Sequence, residues 1–570
     1  MITEIKSAKA GKIGKISVNV GDNIKKGSKL LDIEAHKGNE AMVAKNEGKV
    51  VSIQVEEGDV AKIGDILLTV ECEMVNAKPE KVQTKTTNKA TFDYFGSVMK
   101  PQKIELESDI TIIGGGPGGY VAAIKAAKLG AKVVLVEKEN LGGTCLNRGC
   151  IPTKALVRSS EVYSNMQRAE EFGLFAKNIS VDMGKVIERK NGVVDNLVAG
   201  IKYLMDKNKV TVVEGSAKML SSEKVYVKGN RKETTINSRN IIIATGSTSF
   251  KLPIEGIESK NVLTSTEILD LKELPQKIVI IGGGVIGMEF AFMYNSFGVD
   301  VSVVEYMDNI LPTLDSDVCE EISNIAKAKG IKLYTGSKVD KIIHAKDGEC
   351  IVSFEKASKI NNLVGNKVLV SVGRKPYHDN LGIEELGIQL NENKRGIKVN
   401  NKMQTNIENI YAIGDVTNVL QLAHVASHQG IIAVENILGE DKEMDYSSVP
   451  SAIFTNPEIA TVGVSERMIS EKGIEAEVGK FPFSANGKAL TLGEPEGFIK
   501  IIKEKESGKI IGSTIIGAHA TDLIHELTLA IKNGLTAEQI AETIHAHPTT
   551  AEVIHEAALS VEGGALHFAE

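Results

Sequence analysis

A chain of 570 residues exceeds the size at which a single hydrophobic core stops growing, so several domains are expected. Its formal charge of −7 is spread as interspersed Lys and Glu with no basic block, which argues against a nucleic-acid surface and leaves small molecules and other proteins as partners. No apolar run reaches the roughly 20 residues of a membrane span, and the opening MITEIKSAKAGK lacks the apolar stretch of a secretory signal, so a cytoplasmic protein outside the membrane is expected.

The first feature along the chain is a repeat. Gly21, Asp22, Gly27, Leu30, Leu31, Ile33 and Glu34 recur 37 residues later as Gly58, Asp59, Gly64, Leu67, Leu68, Val70 and Glu71. Each copy alternates apolar residues around Gly turns, as short strands do, and two equivalent strand sets predict a small β-sandwich with quasi-twofold symmetry. The segment EAHKGNEAM (34–42) joins them, with Lys37 at its tip. On residue physics alone, a lysine on a turn is a solvated charge. The repeat and the placement of this lysine resemble the lipoyl and biotinyl carrier domains over about 75 residues. Lipoyl domains normally carry an Asp before the modified lysine and biotinyl domains flank it with methionines; His36 and Gly38 depart from both but sit closer to the lipoyl pattern. The resemblance implies a lipoyl group on Lys37.

Residues 76–106 are rich in Lys, Thr and Asn with flanking Pro and no sustained periodicity, which predicts a flexible linker. Some 30 such residues have an r.m.s. reach of about 30 Å.

DITIIGGGPGGYVAAIKAAKLGAKVVLVE (109–137) follows: a short apolar strand, the turn Gly114, Gly116, Gly119, an Ala-rich helix, a second strand and Glu137. A lone GxGxxG is weak, but strand, helix and a trailing acid together specify a dinucleotide fingerprint, with a Gly-rich turn of an unrelated α/β domain as the plain alternative. The glycines allow the tight turn and close approach of the backbone to a pyrophosphate at a helix amino terminus, and Glu137 can accept bonds from a ribose diol.

Next comes GGTCLNRGCIPTK (142–154), with two of the chain's five cysteines, Cys145 and Cys150. In the cytoplasm thiols stay reduced, so a close pair reads as catalytic or metal-binding before structural. An ideal helix puts residues five apart roughly 8.7 Å from Cα to Cα, whereas a disulfide wants about 4.4–6.8 Å. A bridge therefore needs a distorted turn, which Gly149 permits and Pro152 would follow, and strain makes a bridge easier to reduce. That suits a cycling pair. Two metal ligands would need a second His/Cys cluster nearby, which is missing, and two reduced structural thiols are the other alternative.

The fingerprint recurs at 277–305, with Gly282, Gly284, Gly287 and Glu305, so two dinucleotides are implied. No Arg follows Glu305, and an acid there would repel a 2′-phosphate, which favours NAD over NADP. Hydride transfer needs a donor stacked on an acceptor, so one site should hold a flavin and the other a nicotinamide; the flavin belongs with the first, to which the cysteines are fused.

A cycling dithiol needs a base, because the thiolate is the nucleophile. IHAHPTTAEVIHEAA (544–558) supplies one: Pro548 at a helix start would put His547 at its amino end, with Glu552 one turn inside to hold one ring nitrogen. A capping histidine is the alternative, and His545 and His555 are rivals on the same stretch.

From about 107 to 565 the chain resembles the flavoprotein disulfide reductases, through GGTCLNRGCIPTK, the two GxGxxG turns, IIIATGS (241–247), NIYAIGDV (409–416) with LAH (422–424), and HAHPTTAE (545–552). Within them it is similar to the branch that reoxidises dihydrolipoamide to lipoamide. The resemblance implies FAD on the first fingerprint, with Asp415 on the ribityl chain and Thr245, Gly246, Gly373 and Ala423 among the cofactor contacts, NAD on the second, and an ion pair of Lys154 with Glu289 beside them. It implies a homodimer in which His547 and Glu552 of one subunit complete the site of the other, Cys145 exchanging with substrate and Cys150 lying against the flavin. The fold expected is α/β and multidomain: a carrier β-sandwich over 1–75, an FAD domain from 107–250 and 376–445, an NAD domain over 251–375 and an α+β dimerisation domain over 446–570. No metal is expected. Partners implied are lipoyl-bearing components of a 2-oxo acid dehydrogenase, an acetoin dehydrogenase or the glycine cleavage system. Glutathione reductase relatives would carry arginines after the second fingerprint, and mercuric reductase relatives a carboxyl-terminal cysteine pair; this chain ends GGALHFAE. A carrier and assembly subunit with no catalysis is the rival of another class.

Overall fold

The computed structural model describes residues 2–7, 11–25, 27–35, 38–44, 47–61, 65–71, 101–345 and 348–569. The chain forms two compact units, Met1–Asp93 and Tyr94–Glu570.

The amino-terminal unit is a pair of four-stranded antiparallel sheets. One runs Ile2–Lys6, Ile66–Glu71, Gly48–Ile53, Asn23–Ile24; the other Gly38–Val43, Lys29–Ala35, Gly11–Ile16, Val60–Ala61. The repeat has a structural cause. Against Gly38–Val43 the register skips Leu30, and against Ile2–Lys6 it skips Leu67, the equivalent residue of the second copy. Strict alternation would send one leucine of each adjacent pair to solvent; a bulge turns both inward. Leu30, Leu31, Leu67 and Leu68 are accordingly all fully buried in the core of this unit. Ala35 pairs with Gly38, and His36 and Lys37 lie outside the described residues.

The larger unit is built on three large sheets, with a two-stranded and a three-stranded one beside them. The first takes Thr211–Glu214, Val133–Glu137, Gln102–Ile113, Lys232–Ile243, Lys224–Lys228 and Ser216–Ser221 in that order, with Ile410–Ala412 added beside Lys232–Ile243. Its parallel strands carry unbroken apolar runs such as residues 133–136, buried throughout because helices cover one face and strands Ser216–Ser221 and Lys224–Lys228 with residues 381–397 cover the other. The strand Gln102–Ile113 begins inside the stretch expected to be linker: residues 102–106 pair with 232–236. Their polar, mostly exposed side chains hide a strand that main-chain pairing holds. The second sheet runs Val262–Leu263, Lys367–Val370, Lys277–Ile281, Asp300–Val304, Lys332–Tyr334, all parallel. The third is antiparallel, in the order Ser451–Ile453, Glu458–Gly463, Ile510–Gly517, Phe498–Glu504, Ala476–Pro482, and packs against helices Ala520–Asn533 and Glu552–Glu562. No helix among the described residues is long and apolar enough to cross a membrane.

A buried cation ties the third sheet to the start of helix Ser316–Ala328. Lys500, fully inaccessible, donates to Asp315 at 2.9 Å, Asp317 at 3.0 Å and Glu466. Without the ammonium three carboxylates would face one another across a part-buried gap. Lys500→Met is expected to destabilise the larger unit by about 3 kcal/mol in a denaturant titration, the cost of leaving buried charge uncompensated.

Candidate active site

Cys145 lies in the short helix Gly143–Arg148 and Cys150 is the first residue of the next, Cys150–Gln167; the break falls at Gly149. A Cβ there would sit 3.0 Å from Thr144 O and 3.2 Å from Cys145 Cα, so only glycine lets the second helix begin this close to the first. Pro152 is tolerated because the amide it lacks is in the first turn, where no intrahelical partner exists. The break does two things at once. It brings the two sulfurs into hydrogen-bond contact, and it places Cys150 at a helix amino terminus, where the dipole favours an anion.

Both cysteines are thiols here, the dithiol form of the pair, and they ionise very differently. The Cys145–Cys150 hydrogen bond lowers the Cys150 pKa to about 7, with Lys154 adding to the shift; burial and Glu289 oppose it. The same bond, together with burial, pushes Cys145 far up. Cys145 is therefore the S–H donor and Cys150 the acceptor thiolate. Tyr120, on the fingerprint helix Pro117–Lys128, is close enough to Cys145 that negative charge there raises its phenol further than burial does alone. It was missed in the sequence because it sits among helix alanines, where an aromatic reads as core.

Lys154, one turn beyond Cys150, donates to both oxygens of Glu289, at 2.7 and 2.8 Å, so the ion pair joins helix Cys150–Gln167 to helix Val285–Ser296, which follows the second glycine turn. Glu289 is buried.

The two glycine turns are built alike. At Gly114 and Gly282 φ is positive, and an added Cβ would lie 2.3 Å from Ala244 O and 2.6 Å from Ser371 O. At Gly119 and Gly287 it would lie 1.8 and 2.0 Å from the carbonyl of the first glycine of the turn. The outer glycines are thus demanded by the protein's own packing. The middle ones are different: a Cβ on Gly116 would find nothing nearer than Gly143 Cα at 3.8 Å, and one on Gly284 nothing within 4 Å. Each middle glycine opens a space at a helix amino terminus that a side chain would fill, which is the cradle a pyrophosphate requires. Glu137 accepts from Gly115 N at 2.7 Å and Glu139 N at 2.8 Å, and Glu305 likewise from Gly283 N and Met307 N. A carboxylate has about four lone-pair positions, so each acid retains capacity for a ribose. The residues present fit two dinucleotides.

Around the first turn the other expected contacts assemble from distant segments. Helices Pro117–Lys128 and Ala423–Ile437 cross through Gly118 and Gly430, where a Cβ on either would meet the other helix's backbone at under 3 Å; this brings Ala423 alongside the turn. Thr245 Oγ1 donates to Tyr377 O, and Tyr377 N to Gly246 O. Gly373 takes a positive φ just before Arg374. Asp415 accepts from Ser247 Oγ at 2.5 Å, and Ser247 in turn accepts from Arg374 Nε at 2.7 Å. Gln429, fully buried, accepts from Gly414 N at 2.6 Å and donates to Tyr446. Arg374 and Gln429 lie in no motif quoted from the sequence, and Ser247, the last residue of IIIATGS, gains its role from what it holds in place.

His547 Nδ1 is 2.9 Å from Glu552 Oε1, and Glu552 Oε2 accepts Thr549 N at 2.9 Å. Pro548 does not begin the helix as expected: residues 547–551 form a turn, and Glu552 is itself the first helical residue of Glu552–Glu562. That puts its carboxylate beneath His547 instead of a turn further in. The His547 side chain is 79% exposed and shares no hydrogen bond with either cysteine among the described residues. The rivals are engaged elsewhere or shielded. His545 spends both nitrogens on Thr543 O and Glu526, and His555 Nδ1 is buried without a partner beneath the His545 ring.

Residues 108–430 match a family model described as pyridine nucleotide-disulphide oxidoreductase, 449–558 its dimerisation domain, and 3–70 one described as biotin-requiring enzyme. Two dihydrolipoyl dehydrogenases of Bacillus subtilis (strain 168) are 44% and 46% identical to the chain, each over 81% of it and 98% or 99% of the relative. One from Chlamydia muridarum is 44% identical over 81% of the chain and 98% of the relative. Among solved structures, a Cu(II) complex of the HOCl-induced flavoprotein disulfide reductase RclA from Escherichia coli matches with TM-score 0.72 at 28% identity, covering 81% of this chain and 99% of that one. LpdA from Mycobacterium tuberculosis matches with TM-score 0.74 at 27% identity, covering 80% and 99%.

The depressed Cys150 sets a pH dependence. Its thiolate forms as pH rises through about 7, so in the reduced protein alkylation at Cys150 should climb to a plateau with a midpoint near that value, while Cys145 stays unreactive well above it. Peptide mapping after timed iodoacetamide treatment across pH 5 to 10 reads both; equal reactivity of the two would contradict the assignment.

Proposed function

This chain belongs to the pyridine nucleotide-disulphide oxidoreductases and acts as a dihydrolipoyl dehydrogenase, and from that premise we propose that Cys145 and Cys150 are its redox pair and that His547 with Glu552 is its acid–base pair. It is a homodimeric NAD-dependent enzyme that uses FAD and carries a lipoyl group on its amino-terminal domain. When bound, FAD supplies the two-electron link between the thiols and NAD, whose nicotinamide takes the hydride. Gly114, Gly116, Gly119, Glu137, Thr245, Gly246, Gly373, Asp415 and Ala423 would hold the flavin nucleotide, and Gly282, Gly284, Gly287 and Glu305 the nicotinamide one.

The helix break at Gly149, which brings Cys145 against Cys150 at a helix amino terminus with the Lys154–Glu289 pair one turn on, carries the reading. Starting from the disulfide, His547 Nε2 takes a proton from one thiol of dihydrolipoamide, and the resulting thiolate attacks Cys145 Sγ. A mixed disulfide forms, the Cys145–Cys150 bond breaks, and its electron pair leaves on Cys150. The second substrate thiol, deprotonated in turn, closes lipoamide by displacing Cys145. Cys145 leaves as the poor acid that picks up a proton, and Cys150 holds its charge against the Cys145 S–H, Lys154 and the helix dipole. The exchanging sulfur and the electron-storing sulfur are thus distinguished by their surroundings. Glu552 on Nδ1 leaves Nε2 as the working nitrogen and stabilises the imidazolium that forms.

His547 and Glu552 of one subunit serve the cysteines of the other. Supporting this, His547 is exposed, meets neither cysteine in its own chain, and neighbours Ile544, which is 97% exposed in the single chain and apolar, as an interface residue would be. The lipoyl group is attached at Lys37, so one substrate is tethered to the enzyme, with an effective concentration around millimolar if the span fits. Other substrates are lipoyl-bearing components of a 2-oxo acid dehydrogenase, an acetoin dehydrogenase or the glycine cleavage system, in the cytoplasm, where the free thiols are stable.

His547→Gln should lower the turnover of NAD-linked dihydrolipoamide oxidation roughly 10²- to 10⁴-fold, while NADH still bleaches the flavin band at the wild-type rate; loss of both would place the defect elsewhere. Intact mass of chain produced with a lipoate-attaching enzyme should exceed that of Lys37→Ala by one lipoyl group beyond the substitution itself, and equal masses would remove the tethered substrate from this scheme.

A further inference from the structure

Lys154 is a flexible four-carbon stem ending in a point charge with three donors. Its two bonds to Glu289 fix the distance to the carboxylate but leave the ammonium free to swing about it. Glu289 is no better anchored by Lys154 alone. Yet Cys150 depends on where that charge sits.

Both partners meet a third residue. Phe454, the first residue after strand Ser451–Ile453, donates its backbone N–H to Glu289 Oε1 at 3.0 Å, the oxygen that also accepts from Lys154. Its ring lies under the ammonium, with Lys154 Nζ 4.3 Å from the centroid, well inside the roughly 6 Å over which a ring quadrupole attracts a cation. One residue therefore pins the carboxylate through its main chain and the ammonium through its side chain. Phe454 is itself held firmly. Ala452 pairs with Ala460 in the third sheet, Thr455 Oγ1 donates to Pro457 O at 2.7 Å, and Glu458 accepts from both Thr521 N and Thr521 Oγ1. The segment is a rigid corner of the dimerisation sheet pushed between the first two domains.

We propose that Phe454 is a positioning residue of the redox centre, its ring and backbone N–H together fixing Lys154 and Glu289, from two other domains, in the geometry that faces Cys150. This rests on the reading of Cys150 as the redox thiolate. The charged and titratable groups that face Cys150 are Cys145, Lys154, Glu289 and Arg374, and of these only the Lys154–Glu289 pair touches Phe454. The third sheet thereby acts on the thiolate of its own subunit, separately from anything it does in pairing subunits.

The test keeps the backbone N–H and removes the ring. In the reduced flavin-loaded protein the pH midpoint of Cys150 ionisation, read from the long-wavelength absorbance of a thiolate lying against the flavin, should rise by about half a unit in Phe454→Leu, the loss of one cation–π contact, and return to the wild-type value in Phe454→Tyr, which restores a ring. Variants are compared at matched flavin content and unfolding midpoint, with Phe454→Met taking the place of leucine if leucine lowers that midpoint. A wild-type midpoint near 7 that does not move in the ring-less variant overturns the role of Phe454 and leaves the redox reading intact. A wild-type midpoint at the ordinary thiol value, roughly 8.5, overturns the redox reading itself.

Discussion

A negative sulfur at the Cys145–Cys150 break persists only where its surroundings stabilise the charge. Cys150 is met by three compensating features: the Cys145 S–H, the Lys154 ammonium and the unpaired amides of a helix start. Burial and Glu289 act against it. The balance leaves the thiol titrating near neutrality, where it can be both formed and discharged. A stronger cation would trap the thiolate, and a weaker one would leave two ordinary thiols. The Lys154–Glu289 pair joins helix Cys150–Gln167 to helix Val285–Ser296, so the electrostatics of the cysteines depend on how those helices are packed.

The two nucleotide turns show the same backbone solution used twice with different support. In both, the outer glycines are fixed by contact with the protein's own carbonyls and the middle glycine faces open space. The first turn is also braced by a helix crossing through Gly118 and Gly430 and by the chain Arg374, Ser247, Asp415. Segments from opposite ends of the large unit thus converge on it. The neighbours that crowd the glycines of the second turn all fall between Gly282 and Ser371.

The amino-terminal unit makes a parallel point about repeats. The 37-residue offset in sequence became two sheets, and the conserved place of the Leu–Leu pair within each copy became a bulge at Leu30 and at Leu67. A pattern that violates strict alternation in the same way twice is the sign of a built feature, because a one-residue slip without a bulge would have exposed half the core.

Much of this protein was legible in its residues. GxGxxG between a strand and a helix, with an acid after the second strand, needs only local backbone geometry to make a nucleotide cradle, and CLNRGC encodes its own helix break through Gly149. Local rules also gave His547 a carboxylate, although the helix starts at Glu552 and the acid reaches the ring from the first helical position, not from one turn inside. The strand at 102–106 was hidden because its polar residues are held by pairing, which composition does not report. Arg374, Gln429 and Phe454 could not be read from the chain, and Tyr120 and Ser247 lie inside quoted motifs that gave them no part of their own. Their neighbours lie on other elements, so their meaning depends on packing that no local pattern encodes. The sequence by itself determined which groups can cycle, bind and exchange protons, since those are properties of residue type and short spacing. Only the tertiary structure decided what surrounds the two sulfurs, because Lys154 and Glu289 meet beside Cys150 from helices that are far apart in the chain.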